Sequence, residues 1–188
     1  IPVVKRIHHV ADDGFNELEL HLSTHSGTHL DCPFHMDQHG LMLDDLPLSM
    51  FTGPAFVIDC STCDRRIERG HLLPHQHEIE RCQFVLLHTG WSAKWGHPDY
   101  LKDYPVLTQD AAEWLCRFSL NGIGMDTISP DEVGSSDFPI HKLILGHKHI
   151  IIENMNNLDK LIGINHFRLY ALPLPLNNAD GSPIRAIA

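Results

Sequence analysis

The chain has 188 residues, 43% of them apolar, with 14 basic against 24 acidic side chains and a formal charge of −10. That length suits one domain of about 150–200 residues with a sizeable core, and the negative field repels phosphate backbones, which argues against a nucleic-acid partner. No apolar run approaches the ~18 residues of a membrane span, no secretory pattern opens the chain, and five cysteines without framework spacing fit a reducing compartment, so the expected location is the cytoplasm.

The first residue is Ile1 rather than methionine, and part of the N-terminal segment is expected to lie outside this numbering. "FNELELHLSTHSG" (15–27) alternates apolar and polar from Leu18 to Leu22, the two-residue period of a half-buried strand. "AFVIDCS" (55–61) and "QFVLLHTG" (83–90) are short apolar runs of strand type, the second closed by Gly90. "TQDAAEWLCRFSLNG" (108–122) reads as a helix capped by Thr108 or Asp110 and ended by Asn121-Gly122. "IGMDT" (123–127) follows as a buried strand with Asp126 at its end. "DFPIHKLILG" (137–146) is a short helix begun by Asp137, with Pro139 in its first turn. "HIIIEN" (149–154) and "HFRLYALPL" (166–174) are strands, the last broken by Pro173 and Pro175. Strands and helices mixed in this way predict an α/β domain around one sheet.

"HSGTHLDCPFH" (25–35) carries the chemistry. Neutral imidazole and carboxylate are ligands shared by zinc, manganese and iron. On an extended backbone His25, His29 and Asp31 point to one side. Gly27 allows a bend between them, and Pro33 stiffens the exit. Three protein ligands leave positions open for water, the arrangement of a catalytic site, and water held by such a metal can have a pKa near ~7. His35, four residues past Asp31, is then free to carry protons. Thr28 is placed to hydrogen-bond a ligand from behind.

Other features carry less. Cys60 and Cys63 form C-x-x-C, but no second pair exists, and Asp59 and Asp64 oppose a thiolate, so a surface loop is the expectation. Cys32 reads as packing. "HLLPHQHEIE" (71–80) and "GHKH" (146–149) read as His-rich loops without a functional metal, and His8, His9, His39, His88, His97 and His166 stay unassigned. Asp126, Thr127 and Ser129 in "GMDTISPD" either orient pocket groups or form a buried turn. No glycine-rich phosphate loop and no G-x-S-x-G elbow is present.

The opening motif resembles the H-x-G-T-H-x-D-x-P-x-H signature of the cyclase-like metal-dependent hydrolases, a family that includes bacterial kynurenine formamidase and isatin hydrolase. "LLHTGW" (86–91), "GMDTISPD" (124–131) and "FPIHKLILGHKHIIIENMNNLDKL" (138–161) look like the family too. The resemblance implies that His25, His29 and Asp31 hold a first metal, and that Asp31 bridges to a second completed by His141 and Glu153. It places His35 at the family's catalytic proton donor and acceptor. It also implies a swivelling β/β/α-type sheet with flanking helices, assembled as a dimer or larger oligomer. Formamidases of this family begin with an Asp-Leu-Ser strand and an aromatic, proline-containing pocket segment. This chain begins "IPVVKRIHH", and Trp91, Trp95 and Trp114 all come later, so that segment lies outside this numbering or the pocket differs.

The expected function is hydrolysis of an amide, an N-formyl aryl amide or a cyclic amide, with two zinc ions or manganese and a small-molecule substrate. The alternatives are an isatin hydrolase-like or polyketide cyclase-like enzyme, or a non-catalytic metal-binding or ligand-sensing domain of the same fold.

Overall fold

Residues 2–165 and 167–188 are described by the computed structural model of the chain. In chain order the described strands begin with β1 (Val3–His8), β2 (Glu17–His21), β3 (His29–Asp31), β4 (Thr52–Asp59) and β5 (Arg66–Ile67). They continue with β6 (Phe84–His88), β7 (Val106–Leu107), β8 (Gly122–Met125), β9 (Ile150–Glu153), β10 (Phe167–Tyr170) and β11 (Gly181–Pro183). The α-helices are three single turns, α1 (Val10–Asp13), α2 (Arg69–Leu72) and α3 (Gln76–Ile79), and the longer α4 (Gln109–Leu115) and α5 (Pro139–Gly146).

A seven-stranded sheet runs in the order β10-β4-β6-β8-β9-β3-β11. Its centre, β4-β6-β8-β9, is parallel, and β10, β3 and β11 pair antiparallel with their neighbours. Parallel neighbours need crossovers, and a central strand is buried on both faces, so it reads as an unbroken apolar run. In β6 the alternation is divided between two cores. Val85 and Leu87 pack with Ala111, Leu115 and Ile144 of the helices on one face. Phe84 and Leu86 pack with Leu30, Phe51 and Ile152 on the other.

In β8 two glycines let the sheet close. A Cβ on Gly122 would stand 2.5 Å from Ile150 Cγ1, and one on Gly124 would stand 2.6 Å from both Leu86 Cδ2 and Met155 Sδ. These distances leave no room for a side chain.

The predicted α/β class, the strands at 55–61, 83–90, 123–127 and 149–154 and the helix at 137–146 are all present with shifted bounds, β4 and β8 starting before the predicted residue and the others shorter than predicted. Three expectations change. The strand around Leu18–Leu22 forms, but as β2 in a hairpin with β1 outside the main sheet, where every residue is exposed rather than half-buried. The helix from Thr108 does use that hydroxyl as its cap, accepting from the Ala111 N–H at 3.3 Å, but it ends at Leu115. The segment after it must turn, because Asn121 N–H bonds Gln83 O at 2.7 Å and Gly122 already belongs to the sheet. The expected cap Asp137 is displaced by Asp131, which reaches the first turn of α5 from nine residues upstream of Ile140. The predicted strand at 166–174 appears as β10; His166 lies outside the described residues. Among the described residues no helix is long and apolar enough to cross a membrane.

Candidate metal centre

The short strand β3 supplies the axis of the site. His29 and Asp31 are two residues apart and share a face, and His29 stands directly opposite Glu153 in the β3–β9 pairing. Opposed residues on antiparallel strands share a side, and His29 Nε2 accordingly lies 3.2 Å from Glu153 Oε2. His25 is not on a strand, contrary to the extended reading of the motif. It sits in the turn before β3, where Gly27 adopts φ 67°, and the turn folds its Nδ1 back to within 2.8 Å of Asp31 Oδ1. His29 Nε2 is 3.5 Å from the same oxygen.

His141 enters from the first turn of α5 with its Nε2 3.1 Å from Glu153 Oε1 and 3.7 Å from Asp31 Oδ2. His35 follows Pro33 in a 3₁₀ turn, its ring centroid 4.1 Å from that of His25 and 5.9 Å from that of His141. The ligand atoms of His25, His29 and Asp31 all lie within 4.8 Å of one another, as do those of Asp31, His35 and His141. All six predicted ligand and proton-carrying side chains therefore converge.

Asp31 shows what this cluster is for. It is fully buried, and neither carboxylate oxygen has a hydrogen-bond partner. Leaving a buried carboxylate without donors is costly, and proteins compensate with counter-charges or a metal. In a tetrahedral zinc site with bonds of about 2.0–2.1 Å the ligand atoms stand about 3.3 Å apart. The separations of 2.8 to 3.7 Å around Asp31 fit that spacing. The residues present fit a divalent metal.

The tautomers agree. His29 Nδ1–H donates to Gly27 O at 2.8 Å, and His141 Nδ1–H donates to Asp131 Oδ2 at 2.6 Å, so in the neutral rings both Nε2 lone pairs face the cluster. The charges balance within the cluster. Burial pulls the His25 pKa down, but Asp31 and Asp180 outweigh it and raise it to about 9. Burial likewise opposes His141, and Asp131 and Glu153 raise it to about 9. For Asp31 burial acts upward, and His25 and His29 hold its carboxyl below the usual range.

Three further residues complete the site and were not singled out in the sequence. Asp131, buried between β8 and α5, accepts from Ile140 N–H at 2.9 Å, His141 N–H at 3.0 Å and the His141 ring. Asp180, just before β11, has its Oδ2 2.8 Å from His25 Nε2 and 3.3 Å from His35 Nδ1. Asn154 donates to Gly27 O at 3.1 Å and accepts from Tyr100 at 2.6 Å. Aspartate before a proline-started helix, and Asp-Gly in a turn, were the only local signals.

Thr28 does not touch a ligand. Its hydroxyl donates to Asn154 O at 2.7 Å, tying the motif turn to the end of β9. Asp126 is a structural turn: it accepts from Thr89 N–H at 3.0 Å and from its hydroxyl at 2.6 Å, joining the ends of β6 and β8. Cys60 is not in a surface loop but in the core. Burial, together with Cys63 and Asp59, pushes its thiol far up, and it is no nucleophile. Cys32 packs as expected, with its thiol 3.2 Å from Asp180 O. Among the described residues no histidine of 71–80 or 146–149 joins a metal-like group.

The family described as Putative cyclase matches residues 2–132. A kynurenine formamidase of Bacillus thuringiensis (strain Al Hakam) is 34% identical over 174 residues, covering 90% of this chain and 78% of that protein. Isatin hydrolase A from Labrenzia aggregata superposes with a TM-score of 0.87 at 27% identity, covering 98% of this chain and 81% of the other. A potential metal-dependent hydrolase with cyclase activity superposes at 0.77 with 26% identity, over 98% and 84% of the two chains. A sequence match over most of its length, and a fold shared with metal-dependent hydrolases, agree with the Asp31-centred cluster: the chain belongs to the cyclase family.

Proposed function

We propose that the protein is a metal-dependent hydrolase of non-peptide amides, opening an N-formyl aryl amide or a cyclic amide. The observation that carries this reading is the buried, donor-free Asp31 carboxylate held among His25, His29 and His141 with His35 beside it. A divalent ion bound there would polarise a carbonyl and lower the pKa of water toward ~7. His25, His29 and Asp31 would hold a first ion, and Asp31, His141 and Glu153 a second. Zinc suits this set of imidazoles and carboxylates, and manganese is the other candidate.

His35 does the proton work. Its Nδ1 is engaged by Asp180, which leaves Nε2 as the base. It takes the proton of the attacking water and returns it to the leaving nitrogen. The kinship with kynurenine formamidases favours an aryl formamide. The likeness to isatin hydrolases favours a cyclic amide as the second reading. Steady-state kinetics of the zinc- and manganese-loaded protein on N-formylkynurenine and on isatin decide between them. Turnover of neither by a metal-loaded, folded chain contradicts the proposal.

The reading includes a homo-oligomer, dimer or tetramer. The β1–β2 hairpin exposes Val3, Val4, Leu18 and Leu20 at 50% or more, and an isolated two-stranded hairpin is marginal in water. Light scattering on the eluting protein tests it, and a monomeric mass refutes it. The five free cysteines agree with a reducing, cytoplasmic setting.

A further inference from the structure

The loop before β11 delivers a carboxylate to two functional imidazoles at once. Asp180 lies 155 residues from His25 in the chain, yet its backbone is fixed to the motif. Cys32 N–H donates to Asp180 O at 3.0 Å, and Gly181 pairs with Asp31 in the β11–β3 register. A Cβ on Gly181 would stand 3.1 Å from His25 Cε1, so the loop rests directly against that ring.

A carboxylate can only accept, so each imidazole nitrogen facing Asp180 Oδ2 is an N–H donor. The first is His25 Nε2 at 2.8 Å and the second is His35 Nδ1 at 3.3 Å. In a neutral imidazole, fixing one nitrogen as the donor fixes the other as the lone pair. For His25 the other nitrogen is Nδ1, the atom 2.8 Å from Asp31 Oδ1, and it offers its lone pair once the proton it shares with that carboxylate is displaced by a metal. For His35 it is Nε2.

We propose that Asp180 is the positioning residue that sets the tautomer and ring orientation of both His25 and His35, joining the ligand and the proton carrier through one oxygen. This rests on the roles given above to His25 and His35. In this assignment Asp180 acts through those rings and not as a ligand, although its carboxylate also lies within 4.8 Å of ligand atoms of both His25 and His35. Carboxylates in such positions typically change metal affinity or activity by about 10–100-fold when removed.

The test compares Asp180→Asn and Asp180→Glu with the parent, each loaded with cobalt(II). The readouts are metal per chain, the visible absorption spectrum, and kcat and KM on N-formylkynurenine and isatin. Asp180→Asn is expected to bind cobalt about 10–100-fold more weakly and, at saturating cobalt, to show an altered spectrum with kcat lowered and KM nearly unchanged. Asp180→Glu is expected to recover part of the loss, which a purely structural role does not predict. Parent-like kcat in Asp180→Asn overturns the proposal whatever the spectrum shows. A cobalt stoichiometry that stays below the parent's at saturation also overturns it, because Asp180 is then itself a ligand. If the parent turns over neither amide, the proposed function fails. The cobalt spectrum still decides for Asp180, and an unchanged spectrum overturns the inference.

Discussion

Replacing Asp131 by asparagine separates the metal site from the fold. The wild-type carboxylate, 2% exposed, accepts three hydrogen bonds, two from the first turn of α5 and one from the His141 ring. Asparagine keeps one acceptor oxygen, which can serve the Ile140 or His141 N–H, but its amide nitrogen donates. Facing that amide, His141 is driven to the other tautomer, with Nδ1 accepting and Nε2–H turned to Glu153 Oε1, 3.1 Å away. A protonated Nε2 cannot ligate. The stability cost is the loss of a charge-assisted bond, about 1.5–3 kcal/mol. In a domain of this size that lowers the melting temperature by roughly 3–12 °C. The metal cost is larger in kind, about 10–100-fold in affinity. Zinc titration by isothermal calorimetry on the folded variant, with thermal unfolding of the metal-free chain, reads both numbers. Parent-like zinc affinity in a folded Asp131→Asn variant would falsify the assignment of His141 Nε2 as a ligand atom.

His35→Ala is expected to retain the parent's metal content and lose turnover by about 10²–10⁴-fold; elemental analysis and kcat measure the two, and lost metal makes His35 a ligand instead. In the metal-free chain His25 and His141 have folded-state pKa values raised from 6.5 to about 9. Their stabilising contribution is therefore complete below pH 6.5 and lost as pH rises toward 9, so the melting temperature of the metal-free protein falls across that window. Because those protons must leave when metal binds, zinc affinity rises over the same window by about tenfold per pH unit for each proton released; a flat affinity from pH 6.5 to 9 contradicts the charge balance described. Gly181→Ala puts a Cβ 2.5 Å from Leu30 O and 3.1 Å from the His25 ring. It is expected to cost about 1–3 kcal/mol of stability and to weaken metal binding; denaturant unfolding and the same calorimetry check it.

Four of the six converging side chains are legible from local pattern because they lie in one eleven-residue motif, whereas His141 and Glu153, on a helix and a strand far along the chain, are reached through the family resemblance. What the sequence hid came from pairing and turns. Asp180 reaches His25 only because β11 pairs with β3, a contact with no trace in local periodicity. Asp131 caps α5 from a distance, so the nearer Asp137 attracted the capping signal. The helix from Thr108 stops at Leu115 well before the Asn121-Gly122 signal, because Phe118 and Leu120 pack on the core from the irregular segment after it. The alternation in β2 is real but is spent on a hairpin outside the sheet, where no face is buried.

The central claim is that a metal held around Asp31 makes this chain a hydrolase, and one titration tests it. The chelator-stripped protein is supplied with zinc in steps while hydrolysis of N-formylkynurenine and isatin is followed, in parallel with Asp31→Asn. The parent should go from inactive to active, saturating near two ions per chain, and Asp31→Asn should stay inactive with little metal bound. Full activity in the stripped protein, or in a metal-poor Asp31→Asn, would contradict the account.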